Sequence, residues 1–349
     1  MGATRTPWHY PLMALRLSRT AVAERAAGAV ESPAAAGRIA AEPATTVRGR
    51  EVPTNWLVWL CLGIVYVVWG STYLAIRVTD ETMPALLTAG ARFVVAGAIV
   101  YSVLLVRLGP AALRVTPQQL LWSALIGGLL VTGGNGLVMV GEIHVPSGLA
   151  ALIIASVPLW VVLYRRIAGE RIAAGTLAGV AVGFAGVALL LIPGGSGGHI
   201  KAIGLLLVVL AAPCWALGSF LSSRRPLPSN PFLSTALQMM IGGCISVLAG
   251  VARGELGSVH TGAFSGRSLA GFAYLIVVGS LVAFTAYVWV LQHAPVSKVA
   301  TYAYVNPVIA IILGWAILSE RVTATIIAGA VIVVASVATI VRRESHGRP

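Results

Sequence analysis

Ten stretches of about 20 apolar residues divide most of this chain, and they constrain its fold more than any other feature. Each stretch is long enough to cross about 30 Å of hydrocarbon as a helix. They lie at residues 56–77, 84–106, 118–140, 147–167, 172–192, 202–221, 231–251, 269–291, 297–318 and 322–341. A bilayer offers no water to the backbone, so spans of this length must be helices rather than strands. The sequence predicts an all-α integral membrane protein with ten transmembrane helices.

The composition excludes a water-soluble fold. Hydrophobic residues make up 58% of the chain and charged residues 10%, against roughly 45–50% and about 25% in a typical soluble domain. The formal charge of +13 is scattered over turns, which argues against a nucleic-acid partner and favours contact with anionic lipid headgroups of the bilayer.

The distribution of Lys and Arg predicts the orientation in a cell membrane, because these residues are enriched in cytoplasmic segments. With the amino terminus inside, the cytoplasmic set is Arg5, Arg16, Arg19, Arg25, Arg38, Arg48, Arg50, Arg107, Arg114, Arg165, Arg166, Arg171, Arg224, Arg225, Lys298, Arg342, Arg343 and Arg348. The opposite face holds Arg77, Lys201, Arg253, Arg267 and Arg321, and Arg92 lies inside a span. We therefore predict that both termini are cytoplasmic.

The second half of the chain repeats the first. His144, Pro146 and Pro158 recur at one constant offset as His293, Pro295 and Pro307, and after one extra residue Glu170-Arg171 recurs as Glu320-Arg321. Five spans per half is an odd number, so the second half must enter the membrane upside down. The sequence predicts two inverted five-helix repeats, at 56–192 and 202–341. Duplicated halves of this kind are typical of secondary transporters, whose substrate site lies between the repeats.

The segments outside the repeats differ in composition. Residues 1–55 are rich in Ala, Arg, Thr and Pro, and we predict a disordered cytoplasmic tail; an amphipathic surface helix and a start codon misassigned upstream of Met13 are the alternatives. No compact apolar core leads to a cleavage site, so a signal peptide is not expected. Residues 342–349 form a cytoplasmic carboxyl-terminal tail. Cys61, Cys214 and Cys244 lie inside spans without metal-ligand spacing, so we expect no metal and no cofactor.

Several motifs, in order, resemble the EamA-type members of the drug/metabolite transporter superfamily over about residues 55–341. They are Val68-Trp69-Gly70-Ser71-Thr72-Tyr73, Ala91-Arg92-Phe93, Val145-Pro146-Ser147-Gly148, Pro158, Gly169-Glu170-Arg171, Asn306-Pro307 and Ser319-Glu320-Arg321. The resemblance implies ten helices in two inverted repeats around a central cavity. It also implies movement of small metabolites, often the export of amino acids or related solutes.

Polar and aromatic side chains inside apolar spans usually face a cavity or a partner. The candidates for the substrate cavity are Trp69, Ser71, Thr72, Tyr73, Arg92, Asn135, Trp160, Trp215, Ser219, Gln238, Tyr302, Tyr304 and Asn306. For Ser71 and Ser219 the alternative is helix packing through small residues, and for Trp69 it is an interfacial anchor.

Arg92 is the most informative charge, because a charge this deep in a span costs at least ~2.5 kcal/mol unless it is solvated or paired. A guanidinium in a cavity would bind a substrate carboxylate in bidentate geometry; the alternative is a structural pairing with another helix. The second half has Gln238 near the corresponding position, so the repeat symmetry is broken there.

Pro158 and Pro307 each remove a backbone hydrogen bond and predict bends that shape a cavity or a gate, or are simple kinks. Glu142, His144 and His293 could couple transport to protons, although a solvated turn is the alternative. The Glu170-Arg171 and Glu320-Arg321 pairs are interpreted as turn and helix-start features.

These observations together predict a secondary active transporter, an exporter of small metabolites working by alternating access. No zinc motif and no phosphate-binding loop is present, so an enzyme is not expected. A channel, receptor or scaffold is the alternative, and a homodimer is left open.

Overall fold

The computed structural model describes residues 54–191, 201–294, 299 and 301–346, and within them helices are the regular secondary structure. The long helices are α1 (Thr54–Thr79), α2 (Ala85–Leu108), α3 (Pro117–Glu142), α4 (Ser147–Ile167), α5 (Ala174–Leu190), α6 (Ala202–Ser222), α7 (Pro231–Ala252), α8 (266–293), α9 (Tyr302–Leu318) and α10 (Ala324–His346). Eight have the length and hydropathy of a membrane span, and α5 and α9 are shorter apolar helices. The predicted all-α membrane fold is confirmed. Residues 1–53 of the predicted amino-terminal tail lie outside the described residues. The last two residues of that tail, 54 and 55, begin α1.

The helix ends follow local sequence signals and differ from the predicted spans by a few residues. Thr116 accepts a hydrogen bond from Gln119 N in a capping box that begins α3, and Asn230 accepts from Phe232 N to begin α7. These caps satisfy first-turn N–H groups that have no partner inside their own helix. At the other end of the chain, α10 continues to His346, so part of the predicted carboxyl-terminal tail is helical.

The two repeats interlock through their first helices. Helix α1 packs against α8 and α9 of the second repeat, and α6 packs against α3 and α4 of the first. Helices α2 and α7 also pair, as do α5 and α10. At the α2–α7 contact the backbones lie so close that a Cβ at Gly90 would be 2.6 Å from the Gly243 carbonyl oxygen. Small residues of this kind permit the tight helix packing found in membranes.

The third helix of each repeat contains a π-helical segment, which the sequence pattern does not predict. In α3 it covers Gly128–Gly136, and in α8 it covers Leu275–Val282. A π-helical turn leaves carbonyl groups without their usual partners, and such segments are frequent at functional sites. Each segment contains a polar side chain that donates to the carbonyl five residues earlier: Asn135 Nδ2 to Leu130 O at 3.2 Å, and Ser280 Oγ to Leu275 O at 3.0 Å.

The two repeated prolines lie in different local structures. Helix α4 is interrupted at Ala155–Ser156, and its second part starts at Val157 with Pro158 in the first turn, where proline is tolerated best. Helix α9 instead runs without interruption through Pro307. The gating role of the prolines stays a prediction.

Candidate functional site

Arg92 is buried between α2 and α8, which belong to different repeats. Only 4% of the residue is exposed. Its Nε donates to Ser280 Oγ at 2.9 Å, and its guanidinium lies 4.7 Å from the centre of the Phe93 ring. Nη1 is buried without a hydrogen-bond partner among the described residues. A buried donor without a partner is costly, so Nη1 is a part of this guanidinium whose hydrogen-bonding capacity is unused in the described structure.

The π-helical segment of α8 shapes the surroundings of Arg92. Ser280 accepts from Arg92 and itself donates to Leu275 O, so its hydroxyl has a fixed orientation. The neighbouring Gly279 leaves room for the guanidinium, because a Cβ there would lie 3.2 Å from Arg92 Nη2 and 3.1 Å from Thr72 Cγ2. Helices α1, α2 and α8 therefore meet at this point.

Three aromatic rings from α1, α8 and α9 form a cluster in the same part of the bundle. The Trp69 ring centre lies 5.0 Å from that of Tyr287 and 5.2 Å from that of Tyr302, and the two tyrosine rings lie 5.8 Å apart in an edge-on arrangement. Phe284 adds a fourth ring, 6.5 Å from Tyr287. These distances are those of favourable aromatic pairs. Trp69 thus contacts the second repeat from inside the bundle, which does not fit an interfacial anchor.

Polar groups on α9 link this cluster to α1. With its amide oriented to satisfy both groups, Asn306 donates to the carbonyl oxygens of Tyr302 and Tyr66 at 3.2 Å each. The Tyr66 hydroxyl is hydrogen-bonded to Thr301. Tyr304 is partly buried and packs against the apolar residues of α4 and its neighbours, away from the aromatic cluster. Asn306 therefore has a role in packing, which leaves its role toward a substrate a prediction.

The remaining candidates on α1 make hydrogen bonds within the bundle. Ser71 Oγ donates to Val68 O at 2.8 Å and is 2.6 Å from the hydroxyl of Tyr274 at the start of α8. Thr72 Oγ1 donates to Trp69 O at 2.6 Å. Tyr73 lies within electrostatic range of Glu142 and Tyr302, and so connects the aromatic cluster with the end of α3.

A second group of candidates comes from both repeats and lies where α3 and α4 of the first repeat pack against α6 of the second. Trp160 contacts Phe184 at 4.9 Å between ring centres and lies 6.4 Å from Tyr164. Trp215 packs on Gly134 of the π-helical segment of α3, where a Cβ would lie 2.6 Å from its ring.

Two polar candidates in this region bond to their own helices. Ser219 Oγ donates to Trp215 O at 2.9 Å, and Gln238 Nε2 donates to Ser234 Oγ at 2.9 Å. Gln238 lies against Gly127 of α3, as Arg92 lies against α8. The two residues therefore have related positions in the repeats without being near each other.

A group of acidic residues surrounds the carboxyl-terminal ends of α1 and α3. Glu142 is completely buried, and neither of its carboxylate oxygens has a hydrogen-bond partner among the described residues. Asp80 and Glu320 lie within electrostatic range of it, and Arg77 donates to its backbone carbonyl. The interpretation of Glu142 as part of a solvated turn is therefore wrong, because the helix ends around it exclude water.

Asp80, just beyond α1, has an unusual environment for a carboxylate. Both of its oxygens are buried without a partner in the described part of the chain. Burial raises the pKa of Asp80 well above its usual range; Glu255 raises it further, and the Arg77 guanidinium opposes this effect.

The two histidines lie at opposite ends of the bundle. His144 is partly buried near the end of α1, where it lies against Gly204 at the start of α6. His293 is exposed at the end of α8; it stacks on Trp289 at 4.0 Å, and its Nδ1 lies 2.7 Å from Trp289 O. Residues of this end of α8 pack against the start of α1. His144 and His293 cannot pass a proton directly to each other, because they are separated by the length of α1.

The charged pairs after α4 and α9 have different partners. Glu320 accepts hydrogen bonds from Ser147 N at 2.8 Å and Gly148 N at 3.2 Å, the first residues of α4. Glu170 instead forms ion pairs with Arg165, at 2.7 Å, and with Arg224. Glu320 is thus a helix-start feature, as the sequence predicts, but the helix whose start it caps belongs to the other repeat.

Sequence reasoning missed several residues of these sites. The sequence pattern does not point to Ser280, Tyr287 or Asp80, and it does not show that Glu320 reaches a helix of the other repeat. The Gly279-Ser280 pair within an apolar span was an available signal for Ser280. No comparable sequence signal distinguishes Tyr287, since aromatic residues are common in membrane spans.

The fold and the buried polar groups define a helical membrane protein in which side chains of both repeats meet, as Arg92 meets Ser280 and Trp69 meets Tyr287. Comparison with known proteins agrees. The model of the EamA-like transporter family matches residues 55–192 and again residues 202–342. The chain belongs to the EamA-like transporter family, and it is a multi-pass membrane protein of a transporter class rather than an enzyme class.

Relatives with transporter names support the same assignment. The inner membrane transporter YedA of Escherichia coli (strain K12) is 36% identical over 257 residues, which is 72% of this chain and 79% of YedA. The transporter YvbV of Bacillus subtilis (strain 168) is 29% identical over 80% of this chain and 89% of its own. A protein of Escherichia coli (strain K12) named a probable amino-acid metabolite efflux pump is 25% identical over 77% of this chain and 90% of its own.

A solved crystal structure shares the fold. It has a TM-score of 0.56 and 20% sequence identity, and the match covers 82% of this chain and 98% of that chain. At this identity the likeness concerns the fold alone.

Proposed function

We propose that this protein is a secondary active exporter of small metabolites that carry a carboxylate, such as amino acids, across the cytoplasmic membrane. Transport takes place by alternating access around a central site between the two repeats. The observation that carries the proposal is Arg92, whose buried guanidinium joins α2 to α8 and keeps Nη1 without a partner among the described residues. The name of the Escherichia coli relative, an amino-acid metabolite efflux pump, supports the same substrate class.

In this proposal each group around Arg92 has a defined role. The guanidinium binds the substrate carboxylate, since charge-assisted hydrogen bonds of this kind are strong and directional. Ser280 holds the guanidinium in position from the other side. When the substrate binds, it separates the rings of Trp69, Tyr287 and Tyr302, and these rings then pack against its apolar part. Because the three rings contact one another in the described structure, the central cavity belongs to another conformation of the proposed transport cycle.

We further propose that protons drive export through Glu142. Glu142 is completely buried and neither of its carboxylate oxygens has a hydrogen-bond partner among the described residues, and Tyr73 lies within electrostatic range of both Glu142 and Tyr302. The histidines fit this role less well, because His293 is exposed and bonded to its own helix. The cytoplasmic position of both termini also stays a proposal, as does a homodimer.

Two experiments test these proposals. A strain that lacks the gene is screened against toxic amino acids and their analogues, and hits are followed as radiolabelled solutes in proteoliposomes. A carrier gives saturable exchange that unlabelled substrate on the far side accelerates, whereas a channel shows no such acceleration. With an imposed pH gradient, Glu142→Gln should retain exchange and lose gradient-driven accumulation; unchanged accumulation would contradict proton coupling at Glu142.

A further inference from the structure

Glu320 ties the two repeats together at the end of the bundle where α1 and α3 end. It lies in the turn between α9 and α10 of the second repeat, and its two carboxylate oxygens accept from Ser147 N and Gly148 N of the first repeat. The first N–H groups of a helix have no partner within it, and the helix dipole favours a negative charge there. We call this pair of hydrogen bonds the Glu320 clasp.

The helices around the clasp are shaped to allow it. A Cβ at Gly314 of α9 would lie 2.5 Å from Glu320 Oε2 and 2.9 Å from Ser147 Oγ, so a side chain there would displace the carboxylate from its present position. A Cβ at Gly148 would lie 3.1 Å from Ile311 Cα, so α4 and α9 are in close contact next to the clasp. The clasp therefore lies at the outer end of the seam between α4 and α9.

Surface grooves on both sides of Glu320 lead to this seam. One is lined by residues of the α9–α10 turn, including Ser319, Arg321 and Thr323. A narrower one reaches between the helices and is lined by Leu149 and Ile311 as well as Glu320. Leu149 lines the narrow groove beside Glu320 and is only 1% exposed, so solvent hardly reaches this side chain in the described conformation.

The corresponding acid of the first repeat is engaged differently in the same conformation. Glu170 is bound to the side chains of Arg165 and Arg224 at the opposite end of the bundle. The two copies of the repeated acid thus have different partners in one structure, since Glu320 caps a helix at one end and Glu170 is ion-paired at the other. A device that changes between two discrete arrangements is what a gate requires.

We infer that Glu320 is a gate residue, whose clasp on α4 closes the transport pathway at this end and must release before that end can open. The inference rests on the proposed function for the existence of a transport cycle, but the release itself can be measured without any substrate. Glu255 provides a matched control. It caps α2 from the second repeat in the same way, accepting from Leu86 N and Leu87 N at 3.0 Å each, but it belongs to the extensive α2–α7 contact rather than to the α4–α9 seam.

The test measures the reactivity of a single cysteine at the buried position 149, beside the clasp. Leu149→Cys is introduced after Cys61, Cys214 and Cys244 have been replaced by Ala, and the purified protein in detergent is labelled with a fluorescent maleimide. We expect Glu320→Gln to raise the labelling rate several-fold and Glu320→Ala to raise it further, because Gln retains one acceptor oxygen. Glu255→Ala should label at the rate of the parent.

The outcomes separate the gate from the proposed function. Faster labelling in the Glu320 variants supports the gate even if no solute is ever found to be transported. An unchanged rate in monodisperse Glu320→Ala protein contradicts it, and so does failure of both Glu320 variants to fold, because a gate contact must be dispensable for folding. As an independent measurement, a Ser147→Cys/Glu320→Cys pair bridged by a short bifunctional thiosulfonate should stop efflux of a radiolabelled amino acid until reduced. Undiminished efflux after complete bridging would also contradict the gate.

Discussion

Arg92 and Ser280 lie 188 positions apart in the chain and are joined by a hydrogen bond of 2.9 Å from Nε to Oγ. This bond connects the second helix of one repeat to the π-helical segment of the other. Because Ser280 also donates to Leu275 O, the geometry of the π-helical segment fixes where the guanidinium points. A backbone irregularity in α8 thereby determines the orientation of the buried charge.

Replacing Ser280 should therefore disturb substrate binding through Arg92. We expect Ser280→Ala to raise KM about tenfold, since loss of one hydrogen bond to a charged group is worth roughly 1.5–3 kcal/mol. Ser280→Thr, which keeps the hydroxyl, should restore much of the affinity, and kcat should change little in either variant. Equal KM values for Ser280→Ala and the wild type would show that Ser280 does not position Arg92.

The aromatic cluster predicts a second sensitive position, at Trp69. We expect Trp69→Ala to reduce transport at least about tenfold, since an aromatic pair is worth roughly 0.5–1.5 kcal/mol beyond its buried area and this ring contacts two tyrosines. Trp69→Phe should retain most activity. Trp56→Ala is the control, because Trp56 on the same helix is 62% exposed. Initial rates in proteoliposomes with matched protein amounts test this, and similar losses in the two alanine variants would count against a specific role.

Much of the fold was predictable from the sequence, because the length of the apolar stretches and the repeated proline and acidic motifs reflect constraints imposed by the bilayer. Arg92 was predictable for the same reason, since a charge in a span is rare. The contacts of Ser280, Tyr287 and Glu320 were not predictable, because each depends on a neighbour in the other repeat. Neither were the π-helical segments, since they depend on the packing of α3 against α6 and of α8 against α1.

Asp80 predicts how stability depends on pH. Its pKa is raised in the folded protein, whereas an unfolded Asp titrates near about pH 3.9. As pH rises above that value, the unfolded chain releases the proton first, so the free energy of unfolding falls until the folded pKa is passed. Asp80→Asn should remove this fall and raise the Tm at pH 7.5 by a few degrees relative to the wild type. Thermal unfolding of purified protein between pH 5 and pH 8 tests this; a larger fall in the variant would show that Asp80 is stabilising when ionised.

The charge distribution predicts the orientation in the membrane. In a Cys-free background, Ser319→Cys should react with an impermeant maleimide on intact cells and Ala168→Cys should not. Both positions are exposed in the structure. Ala168 is preferable to its neighbour Gly169, whose φ of 88° disfavours other residues. Labelling at Ala168→Cys alone would mean that the termini are outside.

The most direct test of the central claim compares an amino acid with its amide as a ligand of Arg92. Thermal stabilisation of the purified protein is measured with an exported amino acid and with the corresponding amide, which lacks the carboxylate. The wild type should be stabilised by the acid and not by the amide. Arg92→Lys should bind the acid more weakly, because lysine lacks the planar guanidinium that binds a carboxylate through two hydrogen bonds. Arg92→Gln should bind the acid with an affinity lower by roughly 10–100-fold. A well-folded Arg92→Gln protein that binds the acid with unchanged affinity would contradict the role of Arg92 in substrate binding.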